Sequence, residues 1–282
     1  MFMANSISLS AAQGRVPLPV SCRRGSGRRG LALGGRPAQR GQTGTSWALP
    51  LQAVSPAATV SVALLDLRRA LQGLQPRDSI GIAAELRDIA RPDVNVAHRR
   101  RPLPPELARV SELSHCWQEF SHKLVVHTPI DPQALQQLLD GVPDQRVKEA
   151  LSGDVTHLAR EFAEITGCCC VMIKLEYVTT ALCPRLHTDK VPARLLVTYA
   201  GAGTLYASNA SVDRARLLVP PEARGNDGAI RPEGSLLQAA PGDILLLKGD
   251  RWRGNEGCGA IHRSPHQVSK DSPRLILTID CM

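Results

Sequence analysis

The chain has 282 residues, enough for one sizeable domain and an appendage. Its formal charge of +8 is uneven: residues 1–65 hold seven Arg, no Lys and no Asp or Glu, while the other 217 residues hold 27 basic and 26 acidic side chains. The body has no cationic excess to neutralise phosphates, which argues against nucleic-acid binding, and no apolar run approaches the ~18 residues of a membrane span.

The start of the chain, MFMANSISLS and then CRRGSGRRG, is acid-free and rich in Arg, Ser, Ala and Gly. That is the composition of an organelle transit peptide. Residues 1–58 read as this disordered leader, with a chloroplast preferred to a mitochondrion because the opening residues are hydroxylated and uncharged. A basic disordered arm is the alternative. Residues 59–282 then form one domain, with 59–167 mainly helical and 168–282 a β-barrel.

In the helical part, Val60, Leu64, Leu65 and Leu71 recur near helical spacing, and a short helix is expected from Ile80 to Ala90, stopped by Pro92. Val94 to Arg100 (VNVAHRR) alternates like a strand, with His98 packed or exposed rather than a ligand. Pro104-Pro105 opens a long helix to about Val125, with Leu107, Val110, Leu113, Trp117, Phe120 and Leu124 in one stripe. His115 and His122 on it read as solvated or hydrogen-bonded. A further helix starts at Asp131-Pro132 and ends at Gly141-Val142-Pro143. Gly153-Asp154 is expected to cap another, with Val155, Leu158, Phe162 and Ile165 inward and Gly167 as its stop.

After Gly167 short strands follow at 170–180, 193–200, 203–208, 235–239, 244–248, 258–263 and 274–280, and Pro241-Gly242-Asp243 marks a turn. Residues 213–234 are a polar loop rich in Pro and Gly. Helices followed by strands suggest α+β, with N-terminal helices packed on a C-terminal double-stranded β-helix of jelly-roll or cupin-like type. Eight cysteines form no Cys-x-x-Cys pair. Cys168, Cys169 and Cys170 read as small buried hydrophobes, and so many unpaired thiols suit a reducing compartment.

His187 and Asp189 are two apart in an extended segment, so they face the same way, opposite to Leu186 and Thr188. With His262, at the end of the apolar stretch GAIH, they compose a facial two-His-one-carboxylate set that leaves coordination positions open. His266 competes for the third place, but it follows Pro265, which breaks the strand. A surface pair without a ligand role is the alternative for His187 and Asp189. Trp252 and Arg253 could line a pocket, though a packed Trp explains the first more simply.

The stretches VNVAHRRRPLPPEL, CPRLHTDKVPARLLVTYAGAGT, PGDILLLKGDRWRGNEGCGAIHRSP and RLILTID resemble the family named domain of unknown function 1826, over about Asp66 to Met282. The resemblance implies that His187, Asp189 and His262 are signature positions, and that the chain is a distant relative of Fe(II)/2-oxoglutarate-dependent oxygenases. On that reading the three residues hold Fe(II), and Arg274, opening the last strand, takes the outer carboxylate of 2-oxoglutarate, a plain surface or salt-bridge residue being the alternative for it. Thr278 shares its face. The substrate, a small molecule or a protein, stays open. The resemblance also implies a rival: a non-catalytic Zn(II)-binding barrel in metal homeostasis, with a metallochaperone GTPase as partner. Neither nucleic acid nor membrane is expected as a partner.

Overall fold

Two-residue periodicity sorts a large sheet into two chemically different faces. The computed structural model describes residues 81–282 apart from 114–115, 221–222, 224 and 226; the expected leader, the helical pattern of Val60, Leu64, Leu65 and Leu71, and His115 lie outside the described residues. The strands are β1 Gly81–Ala83, β2 Val94–Arg99, β3 Phe120–His127, β4 Cys170–Val178, β5 Ala193–Ala200, β6 Leu205–Ala207, β7 Leu237–Gln238, β8 Ile244–Lys248, β9 Ile261–Arg263 and β10 Arg274–Cys281. Seven form one sheet in the order β1-β2-β8-β5-β10-β4-β3, and three form a smaller one, β7-β6-β9. The helices are α1 Pro105–Glu112, α2 Gln145–Thr166 and the single turn α3 Arg214–Leu217, with 3-10 segments at Leu86–Ala90, Pro132–Leu139 and Asn209–Ser211.

Odd-numbered residues of β4, β5 and β10 are apolar, from Val171 and Leu195 to Leu277 and Ile279, and pack with Leu151, Leu158 and Phe162 of α2 in the main core. Burial of each such side chain contributes about 1.5–3 kcal/mol. Even-numbered residues point the other way. On β10 these are Arg274, Ile276, Thr278 and Asp280, and on β5 Arg194, Leu196 and Thr198, all seven buried or half-buried; a register shift after Thr198 turns Ala200 back into the main core. The register sets Asp280 opposite Arg194 and Thr278 opposite Leu196. The small sheet rests on this face through Tyr206, Ala239 and Ala260, against Leu196, Leu245 and Ile276. The fold is thus mixed, with helices on one face of a large sheet and a second sheet on the other.

Several expectations are corrected. The long helix from Pro105 ends at Glu112, and Phe120–His127 is a strand antiparallel to β4. Its sequence, FSHKLVVH, alternates: residues 120, 122, 124 and 126 turn inward and 121, 123, 125 and 127 are exposed. The helical stripe used Phe120 and Leu124, which also fit a period of two. With β1 and β2, three strands of the large sheet precede Gly167, so that sheet draws on both expected parts of the domain. The segment read as a helix from Ile80 is strand β1 followed by a 3-10 turn. Helix α2 starts earlier than expected: Asp144 accepts a hydrogen bond from Val147 N as the cap, and Gly153 lies mid-helix in open space. Gly167 ends it with φ of 70°. Finally, Cys168 and Cys281 are joined in a disulfide, while Cys169 and Cys170 are only half-buried.

Candidate metal centre

His187 lies just before β5 and His262 within β9. Their backbones form one antiparallel bridge, each N–H donating to the other's carbonyl at 3.1 Å. Directly paired residues project to the same side, and the two imidazole centroids lie 4.5 Å apart. Asp189, two residues on, brings its carboxylate beside them: Oδ2 is 3.2 Å from His262 Nε2, and Oδ1 is 3.7 Å from His187 Nε2. One nitrogen or oxygen from each of the three lies within 4.8 Å of the others. Leu186 turns away into a small apolar cluster, and Thr188 donates to Asp250 at 2.7 Å.

The hydrogen bonds around the cluster prepare it. Nδ1 of His187 donates to the Arg185 carbonyl at 2.9 Å, and Nδ1 of His262 to the Ala260 carbonyl at 3.1 Å. Each ring therefore carries its lone pair on Nε2, the nitrogen that faces the carboxylate. Burial lowers the pKa of His187, and the neighbouring His262 adds to this, so the ring is held neutral. Burial alone would raise the Asp189 pKa, but His262, Arg194 and His187 outweigh it and hold the carboxyl at about 2. Asp189 Oδ2 is buried and has no hydrogen-bond partner, although His262 Nε2 lies 3.2 Å away. An orphaned carboxylate oxygen beside two imidazole nitrogens fits a divalent ion.

Arg194 fixes this carboxylate from behind. Its Nη1 donates to Asp189 Oδ1 at 2.7 Å, while Nε and Nη2 grip Asp280 at 2.6 and 2.7 Å. The loop after β8 completes the support, with Asp250 N donating to the Asp189 carbonyl at 2.8 Å. That approach requires Gly249, where a Cβ would overlap the Val191 carbonyl oxygen.

The cluster opens on a cavity of about 380 Å³ between the sheets. At its buried end Arg274 is 2% exposed. Its Nη2 donates to Thr198 at 2.9 Å and Thr204 at 2.7 Å, its Nη1 to Ser264 at 3.4 Å, and its Nε has no partner. Among the described residues no carboxylate forms an ion pair with it. At the open end Leu182 and Cys183 are exposed.

The family model described as protein of unknown function (DUF1826) matches residues 82–280. The chain belongs to that family. No functionally curated protein matches it. Among solved structures, the rice dioxygenase for auxin oxidation is similar at 13% identity over 71% of this chain and 76% of that one, with a TM-score of 0.41. The Arabidopsis thaliana dioxygenase for auxin oxidation 1, in a complex with 2-oxoglutarate, is similar at 15% identity over 70% of this chain and 86% of that one, with a TM-score of 0.39. A Pseudomonas putida prolyl-4-hydroxylase is similar at 12% identity over 69% of this chain and 95% of that one, with a TM-score of 0.35.

For this family member the structure brings His187, Asp189, His262, Arg274 and Thr278 to one place, the last two as lining of the same cavity. His266 is exposed and outside the cluster. His98 bonds Tyr206 and Asp243, at 2.6 and 2.8 Å, and His122 contacts the Leu138 carbonyl at 3.3 Å. Trp252 packs in the main core with the Lys248 ammonium 5.3 Å from its ring, and Arg253 is exposed. Sequence reasoning missed Arg194, Asp280, Thr198 and Thr204. Part of the signal was present: ARLLVT and RLILTID place a polar residue at intervals of two or four in strands whose other positions are apolar.

Proposed function

We propose that the protein is a mononuclear Fe(II)/2-oxoglutarate-type oxygenase on a double-stranded β-helix, the two sheets enclosing the site. One observation carries the reading: an orphaned oxygen of Asp189 faces the free Nε2 atoms of His187 and His262 in a cavity whose far end holds an arginine without a carboxylate. A ferrous ion bound there supplies oxygen-activating chemistry, with 2-oxoglutarate as the electron-donating co-substrate. His187, Asp189 and His262 would hold the ion, and Arg194 keeps the Asp189 carboxylate aimed. The Arg274 guanidinium offers its unpartnered Nε and a remaining Nη1 hydrogen to a carboxylate, and the hydroxyls of Thr198 and Thr204 orient it. Enclosure by the small sheet limits water around these groups.

The same donor set suits Zn(II) without catalysis, so the experiment separates the two. Metal analysis of purified protein should find one divalent ion per chain, lost in His187→Ala, Asp189→Ala and His262→Ala and kept in His266→Ala. Iron-loaded wild type should convert 2-oxoglutarate to succinate. Metal retention without 2-oxoglutarate binding or turnover would favour the zinc-binding reading, and retention of the ion in His262→Ala would remove the site.

A further inference from the structure

We propose that the open end of the cavity binds a small amphipathic anion, an apolar body ending in a carboxylate or phosphate, and that Lys123 and Lys174 hold its charged end. Calling this molecule the substrate rests on the oxygenase reading; the site itself does not.

The large sheet extends past the small one. Strands β4 and β3 carry the cavity-side face outward as a shelf, and the register pairs Lys123 with Lys174 and Val125 with Met172 upon it. Side chains directly opposite on antiparallel strands share a face, and like charges there repel. Lys174 is relieved by Glu176, 2.8 Å away, but that buried carboxylate is also bonded by Ser121 at 2.9 Å. Lys123 is exposed and forms no ion pair among the described residues. An anion between the two ammonium groups would remove the repulsion.

Next along both strands, Val125 is 52% exposed, Met172 is half-buried, and Leu182 at the cavity rim is 45% exposed. Among the described residues of these strands no exposed acid accompanies them on this face, since Glu176 is buried and Asp280 is buried under Arg194. The Arg-rich residues 1–65 contain no acid either, so their charge does not complement the shelf. Lys174 and Met172 line the same cavity as His187 and His262. Lys174 faces Thr278, and Thr278 faces Leu196, two strand spacings or about 10 Å in all. A molecule of roughly that length, anchored at the lysines, would reach Leu196, which lines the same cavity as His187 and His262.

The test uses the full-length chain, metal-free and without 2-oxoglutarate, so binding is read apart from turnover. Decanoate and decyl phosphate are titrated by calorimetry beside decanol and decyltrimethylammonium. Both anions should bind about fivefold or more tighter than decanol, and less tightly as salt is raised. A preference for one anion would identify the head group. Lys123→Glu should abolish the preference for anions, Lys123→Gln should weaken it, and Val125→Asp should weaken binding of both. Position 123 is exposed, so these variants should keep the wild-type thermal melt. Equal binding of decanol and decanoate, or an unchanged preference in Lys123→Glu, would overturn the proposal. So would loss of anion binding in Arg274→Ala with retention in Lys123→Glu, which would put the anion at the buried end. An acidic peptide that binds where the decyl anions do not would exclude the small-molecule class. Intact anion binding without 2-oxoglutarate turnover would sink the oxygenase reading alone.

Discussion

Arg274 carries a burial cost that an anion could offset. Burial lowers its pKa from the ordinary guanidinium range to about 10, with nearby Glu176 acting in the opposite sense. The unfolded chain keeps this proton up to a higher pH than the folded one, so its contribution to stability rises with pH between those values. At neutral pH the folded protein bears a penalty of ~3 kcal/mol. Arg274→Ala should keep the metal but weaken 2-oxoglutarate binding by about 2–5 kcal/mol, or 30- to several-thousand-fold. Arg274→Lys should recover only part of this, since a point charge cannot reproduce the fork. Anaerobic calorimetry on Fe(II)-loaded protein reads both, and a wild type that takes up no 2-oxoglutarate ends the oxygenase reading. Arg194→Lys tests the support of Asp189. It keeps the charge beside Asp280 but loses the fork, and competition with a chromophoric chelator should show metal affinity down by about 10- to 100-fold.

At the scale of elements, α2 is clamped to the sheet by charge as well as by its apolar face. Arg99 on β2 makes two hydrogen bonds to Glu161, at 2.9 and 2.6 Å, and Arg101 makes two to Asp154, at 2.6 and 2.7 Å. The hydrogen bonds from Arg99 lower the Glu161 pKa below its ordinary value of 4.5, against the effect of partial burial. Its contribution is therefore present above that value and lost as the pH falls through the lower folded one. Glu161→Gln should cost about 1 kcal/mol at pH 7, since the pair is half-exposed, and should flatten the acid limb of thermal melts. Most strands after Gly167 were legible because buried alternating runs are bounded by Gly and Pro. Strand β3 was not, since an eight-residue segment preceded by a real helix satisfies both periods. Pairing with β4, which is invisible locally, decides between them.

For the molecule as a whole, the Cys168–Cys281 disulfide ties the end of β10 to the segment entering β4, across 113 residues. Cys281→Ser should lower the urea midpoint under non-oxidising handling by the equivalent of about 2–4 kcal/mol, and reduction of the wild type should produce the same shift. No spacing motif announces this pair; only the sheet order, with β10 beside β4, brings the cysteines together. The three clustered residues of the candidate site were readable because two sit in one His-x-Asp unit and the third ends an apolar strand. Arg194 and Asp280 acquire their role from a register that no local pattern encodes.

The rung shared by His187 and His262 has a consequence for how the protein can change. The ruler between the two rings is one β-bridge, not the 74 residues of chain between them. Insertions or deletions in that interval, including the loop over 213–234, leave the ruler unaltered as long as β9 still returns to its place. The geometry of the candidate ligand cluster and access to it are thereby set by different parts of the chain. The first can stay constant in a lineage while the second drifts, and loop grafting could alter one without redesigning the other.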